Sequence, residues 1–223
     1  MIKIGYLGGG DSILELLEET QPTNIGLLGG SVTRCPSVKS YHLNTFEVKC
    51  PFDLEWTVWR EEDRWEVNME NTTLNTDGSL SLDDLFTFDG ENTNVQINYK
   101  PSWSFISDTP NTIVLQHTNG IDTNPQIISG MINIYDWADR VLSIGYPLTK
   151  KVQTFKINRG EPWYRVTFIT PDLEPVKLIK MTERHPYLVR TQRKDKLATL
   201  KYQNWKKIFK YFGKNRPKKL ILY

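Results

Sequence analysis

The chain has 223 residues, 39% hydrophobic and 12% aromatic, with a formal net charge of +2. That length buries a core without metal or disulfide support, and no apolar run is long enough for a membrane-spanning helix. The near-neutral total hides an asymmetry: Lys177 to Tyr223 carries 15 Lys/Arg against two acids, Glu183 and Asp195, while residues 1–176 hold the other 13 bases against 24 acids.

An acidic body with a basic end signals a polyanion-binding tail or a docking surface. The start, Met1-Ile2-Lys3-Ile4-Gly5, lacks the basic and apolar regions of a secretory signal, so cytoplasmic synthesis is expected. Residues 11–20 read as a short helix: Ser12 and Glu15 have capping-box spacing, with glycines on both sides. Gly8-Gly9-Gly10 ahead of it invites a phosphate-loop reading. The full glycine and Lys-Ser/Thr patterns are absent, however, and Asp11 would repel a phosphate, so a turn and cap is the expectation.

Two cysteines, Cys35 and Cys50, each lie in a basic-Cys-Pro triplet. Further ligands at zinc spacing are missing, and two free, mostly buried thiols are expected. From Tyr41 to Val58 the chain alternates. Phe46, Val48 and Cys50 share a face, and Phe52, Leu54, Trp56 and Val58 continue it past Pro51, which predicts a strand or a pair of strands broken at the proline. Trp65, Val67 and Met69 repeat the pattern after a turn at Glu61-Glu62-Asp63. Asp77-Gly78 and Asp89-Gly90 mark loops. Further strands are predicted at Leu80–Phe88, Val95–Tyr99, Thr112–Gln116, Ile127–Ile134, Val152–Ile157, Trp163–Ile169 and Val176–Met181.

Such a series predicts a mainly β protein, a sandwich or jelly-roll/β-clip-like body over residues 31–180. Residues 1–30 form a helical lead-in in this reading, and residues 181–223 a basic helical extension. Within that extension, Lys194 to Tyr211 lacks Pro and Gly. Its aromatic and aliphatic residues, including Trp205 and Phe209, gather on one side of a helical projection, with Lys206, Lys207 and Lys210 opposite. Gly213 is the expected cap, and the apolar Leu220-Ile221-Leu222-Tyr223 is expected to dock.

Three roles compete for this amphipathic helix. It packs on the protein's own body or on another subunit; it binds nucleic acid through Lys201, Lys206, Lys207, Lys210, Lys214, Arg216, Lys218 and Lys219; or it lies on an anionic membrane, the weakest of the three. The histidines, His42, His117 and His185, show no metal-ligand spacing, so no metal or other cofactor is expected.

The most motif-like stretch is Asn119-Gly120-Ile121-Asp122, then a strand, then Ile157-Asn158-Arg159-Gly160-Glu161-Pro162-Trp163. It resembles the middle of the trimeric dUTPase and dCTP deaminase fold. That resemblance implies a β-clip body and makes Asp122, with His117 and Arg159 near predicted turns, the candidate catalytic set of a nucleotide-processing or metal-dependent enzyme. The chain departs from the pattern after Asp122, where Asn124-Pro125-Gln126 replaces the family's Tyr-Arg-Gly, and its phosphate-binding serine motif is not recognisable.

A broader likeness rests on the basic-Cys-Pro triplet, Pro51-Phe52-Asp53, Trp103-Ser104-Phe105 and Arg159-Gly160-Glu161-Pro162. This order resembles an uncharacterised phage-encoded family of about 220–240 residues found in tailed phages, including those of marine cyanobacteria, and in some bacteria. The resemblance implies a host-cytoplasmic or virion location and no assigned activity. The leading expectation is therefore a non-enzymatic protein that binds a protein partner or its own copies, the acidic body meeting the basic end.

Overall fold

The computed structural model describes residues 1–7, 35–50, 52–62, 64–69, 86–89, 96–99, 104–118, 126–138, 140, 144–147, 152–191, 210, 213–214 and 216–221. Among them the chain is mainly β, with four sheets. The order is β1 (Ile2–Leu7), α1 (Pro36–Leu43), β2 (Thr45–Lys49), β3 (Leu54–Glu61), β4 (Arg64–Asn68), β5 (Phe86–Asp89), β6 (Gln96–Tyr99), β7 (Ser104–Ser107), β8 (Ile113–Thr118), β9 (Gly130–Asn133), β10 (Ile144–Pro147), β11 (Val152–Ile157), β12 (Pro162–Ile169) and β13 (Val176–Lys180). The sheets run β13-β1-β7, β10-β6-β5, β11-β3-β4 and β2-β12-β8-β9.

Two long stretches make the frame. β2 pairs antiparallel with β12, Thr45 opposite Thr167 and Lys49 opposite Pro162. Beyond the break the same two stretches pair again as β3 and β11, from Leu54 opposite Ile157 to Trp59 opposite Val152. They change sheets together at a corner. There the Cys50 N–H donates to the Glu161 carbonyl at 2.9 Å, and the Gly160 N–H donates to the Cys50 carbonyl at 2.8 Å. The Arg159 N–H donates to Asp53 Oδ1 at 2.8 Å. Glu161 closes the turn by accepting from the Asn158 N–H at 2.8 Å and from Asn158 Nδ2 at 2.9 Å. Gly160 sits at φ 82°, the left-handed region that a Cβ disfavours.

The alternation seen in the sequence puts Phe46, Val48 and Cys50 of one leg, and Phe52, Leu54, Trp56 and Val58 of the other, into a single core. Trp56 meets Tyr146 of β10 edge-on at 5.0 Å and Phe155 of β11 at 5.6 Å. Phe168 of β12 meets Phe105 of β7 at 5.1 Å and Phe46 at 5.7 Å. The Trp163 indole N–H donates to the Tyr146 hydroxyl, tying β12 to β10. Aromatic contacts thus join strands of all four sheets' neighbourhoods that the hydrogen-bond ladders leave separate.

Three expectations need correction. Residues 2–7, assigned to a helical lead-in, form the central strand of the β13-β1-β7 sheet, and Ile2 and Ile4 lie in the main core. Residues 36–43, inside the expected β region, form α1, with Pro36 at the first helical position that suits its fixed φ. Strand β9 covers Gly130–Asn133, shorter than the expected Ile127–Ile134. The helix expected at 11–20 lies outside the described residues, as does nearly all of the stretch expected to form a C-terminal helix; near its end the Lys214 N–H donates to the Lys210 carbonyl at 3.2 Å.

Candidate functional site

The basic end returns to the body and is fastened there. Alternate residues of β1 and β7 face the main core, and the others (Gly5, Leu7 and Ile106) face the opposite side of the sheet. On that outer side Ile106, Met181, Leu188 and Leu220 form a second buried cluster. Leu220 and Ile221 are both buried. Hiding two such side chains from water contributes about 1.5–3 kcal/mol each.

A single carboxylate organises the contact. Asp108, just past β7, accepts the Leu220 N–H at 2.7 Å through Oδ1 and the Ile221 N–H at 3.1 Å through Oδ2. Oδ1 also accepts from Arg216 Nη2 at 3.3 Å. Arg216 donates further to the Tyr135 carbonyl at 3.0 Å, to the Pro217 carbonyl at 3.1 Å and to the Ser107 carbonyl, and its guanidinium lies 3.9 Å from the centre of the Tyr135 ring. Its side chain is only 4% exposed. A planar fork with several donors fits such a set of oxygens, which an ammonium would not.

Local turns aim these groups. The Thr109 N–H donates to Ser107 Oγ at 3.0 Å, and the Thr112 hydroxyl donates to the Thr109 carbonyl at 2.7 Å, which closes the loop that carries Asp108. Asn111 in that loop adopts φ 58°, a conformation asparagine tolerates. Asn133 Oδ1 accepts the N–H groups of Tyr135 and Asp136, both at 3.0 Å, which sets the Tyr135 ring under Arg216.

Arg216 therefore departs from the expected surface set: it is an internal latch. Lys210, Lys214, Lys218 and Lys219 are exposed. Lys210, Lys214 and Lys218 have no ion-pair partner among the described residues. Lys201, Trp205, Lys206, Lys207 and Phe209 lie outside the described residues.

Of the candidate catalytic set, His117 and Arg159 are among the described residues. Asp122 lies outside the described residues. Arg159 is exposed on the corner turn, while His117 stands opposite Arg165 on the β8–β12 ladder.

His117 belongs instead to a hydroxyl network under α1. Its Nδ1–H donates to the Thr118 carbonyl at 3.0 Å, because a carbonyl only accepts. Nε2 then faces the Thr167 hydroxyl at 2.9 Å and the Tyr41 hydroxyl at 3.4 Å. Thr45 lies 2.8 Å from Thr167 and donates to the Tyr41 carbonyl at 2.6 Å. Burial, chiefly, holds the His117 pKa below its ordinary value, and the nearby Arg165 charge adds to that effect. Among the described residues no three His, Cys, Asp or Glu side chains gather as a metal site. His185 accepts the Tyr187 N–H at 3.1 Å through Nδ1, a turn-closing role.

The two thiols are free and differ. Cys50 is buried, with its thiol donating to the Phe52 carbonyl at 3.1 Å, and burial pushes its pKa up to about 12. Cys35 is exposed, and the backbone N–H groups of Val38 and Ser37 at the start of α1 hold its pKa below the ordinary thiol value. Tyr41, Thr45, Asp108, Tyr135, Arg165 and Thr167 were not singled out by sequence. Only Asp108 carried a signal there, the Asp-Thr-Pro-Asn turn at 108–111.

Together these features define a mainly β protein whose cationic C-terminal segment is strapped to its body. No family model, no curated protein and no solved structure matches the chain.

Proposed function

We propose that the chain is a non-enzymatic binding or assembly protein with a sandwich- or jelly-roll-type body, acting through protein–protein contacts made by its basic C-terminal end. The partner surface is acidic, and the acidic body of a second copy is the first candidate. One observation carries the reading. The Arg216 latch and the buried Leu220 and Ile221 fix a segment from which Lys210, Lys214 and Lys218 point outward without ion-pair partners among the described residues. Fixed charges lose less side-chain and backbone freedom on docking than charges on a loose tail. The setting implied by the sequence resemblance, a phage protein in the host cytoplasm or the virion, accords with an assembly role.

Exposed charge pairs weaken steeply as salt shortens the screening length. Light scattering should therefore show an oligomer at low salt that dissociates at high salt. A K210E/K214E/K218E variant should remain monomeric at low salt. A wild-type monomer at both salt levels removes the proposal. Binding of duplex DNA without self-association, with a log–log salt slope near −4 or −5 for about five neutralised phosphates, would favour the nucleic-acid reading in its place.

A further inference from the structure

The β3–β4 hairpin carries a residue that its own turn disfavours. Glu61 stands opposite Arg64 in the ladder, so only residues 62 and 63 link the two strands. Two-residue hairpin loops of this kind run through left-handed backbone, and Asn, Asp or Gly usually fill them. Glu62 sits at φ 51°, where a Cβ and a longer side chain are unfavourable. Glu61 and Glu62 are both exposed, and neither carboxylate has an ion-pair partner among the described residues. The glutamate at 62 thus strains the turn and forms no ion pair within its own copy in return.

The cationic side of the molecule is a layer, wider than the arm. Leu188 and Leu220 share the buried cluster outside the β13-β1-β7 sheet, so the chain around Leu188 packs beside the arm. Arg190, Lys214 and Lys218 are exposed on that layer. Strand alternation adds Lys177: Val176 and Leu178 turn to the main core, which leaves Lys177 exposed on the outer side of the same sheet. None of these four cations has an ion-pair partner among the described residues, and none pairs with Glu61 or Glu62 of its own copy.

Symmetry then separates the possible contacts. A two-fold contact through the layer sets cation against cation. A contact between the layer of one copy and the hairpin tip of the next sets opposite charges together. Such a heterologous contact closes into a ring or extends as a filament. Resting on the assembly reading above, we infer that the acidic surface received by the arm layer is the β3–β4 hairpin tip of a second copy, so that copies associate head to tail.

Reciprocal charge reversal in the full-length chain tests this, read by light scattering at low salt. K214E/K218E and E61K/E62K should each self-associate at least about tenfold more weakly than wild type, as like charges brought together do. An equimolar mixture of the two should associate again, and so should the quadruple variant K214E/K218E/E61K/E62K, because each restores opposite charges across the contact. Tip variants that associate as wild type does, or a quadruple variant no better than its parents, overturn the inference.

E62N gives a second readout that a merely structural hairpin would not produce. Asparagine suits the left-handed position, so E62N should melt no lower than wild type while associating more weakly. If E62N and E61K/E62K leave association intact while K210E/K214E/K218E abolishes it, the hairpin assignment is wrong and charge-driven assembly stands. If wild type never associates, both fall, and binding of duplex DNA by wild type and E61K/E62K alike would assign the layer to nucleic acid instead.

Discussion

His117 shows how one half-buried side chain couples the fold to pH. Its ring is held neutral by burial and by the Arg165 charge, so its folded pKa lies below the ordinary value of 6.5. In the unfolded chain the ring protonates first as pH falls, and protonation there favours unfolding. The His117 contribution is therefore complete above pH 6.5 and is lost as pH falls through that value toward the lower folded one. Thermal unfolding between pH 8 and pH 5 should show the wild-type midpoint dropping on the acid side. H117N should flatten that part of the profile, and an unchanged profile in the variant would refute the assignment. The sequence could not supply this network. His117 was marked as one of three scattered histidines and as a catalytic candidate with Asp122, because the Thr167 hydroxyl meets it, and Thr45 meets Thr167, through strand pairing across 50 residues and more. Arg159 drew attention as a turn residue beside a glycine, and the turn is real. Its role lies in the backbone N–H given to Asp53, which holds a corner.

At the level of elements, what was legible is what alternates. β2, β3, β4, β11, β12 and β13 were all foreseen, because each puts every second apolar residue on the core face. The break near Pro51 was foreseen as well, and it proves to be the place where β2 and β12 pass into β3 and β11. β1 was missed because its pattern is interrupted by Gly5, a residue that weakens a strand unless something must come close. Something does: Met181 and Ile221 occupy the space a side chain would take. β7 was short and apolar on both faces, serving one core with Phe105 and the other with Ile106, so it gave no period of two. The close approach at Gly5 is testable. G5A should destabilise the protein by about 1–3 kcal/mol, the usual cost of overfilling a packed site. The double variant G5A/M181A should cost less than the sum of the two single changes, since the methyl then replaces atoms that have been removed. Strictly additive effects in chemical denaturation would mean that Met181 is not what fills the space above Gly5.

For the whole molecule, the charge asymmetry was legible from the first count of residues, but its division of labour was not. Counting treats all 15 basic residues after 176 alike. The structure separates them by burial: Arg216 is enclosed by Asp108, Ser107, Tyr135 and Pro217, whereas Lys210, Lys214 and Lys218 face solvent. A basic residue in a run of lysines gives no hint that one member turns inward. The hint lies 108 residues away in an aspartate whose only sequence mark is a turn. Stability measurements should reproduce the division. R216A removes one partner of an enclosed pair and the stacking on Tyr135, and D108A strands a guanidinium among carbonyls while freeing two backbone N–H groups. Breaking such a pair costs about 3–5 kcal/mol. The loss should appear in urea unfolding of either variant, together with faster proteolysis after Lys214 and Lys218. Replacing Lys210, Lys214 or Lys218 singly by Gln should stay within about 0.5 kcal/mol of wild type, as exposed sites without partners do. The double variant D108A/R216A decides how the pair is coupled: if the latch is one unit, removing both halves costs clearly less than the two losses added, because neither half is left stranded. Were R216A as mild as the lysine changes, the arm would be resting on the body rather than latched to it. Lys210, Lys214 and Lys218 would then be charges on a loose tail, without the fixed geometry on which acidic-surface recognition depends.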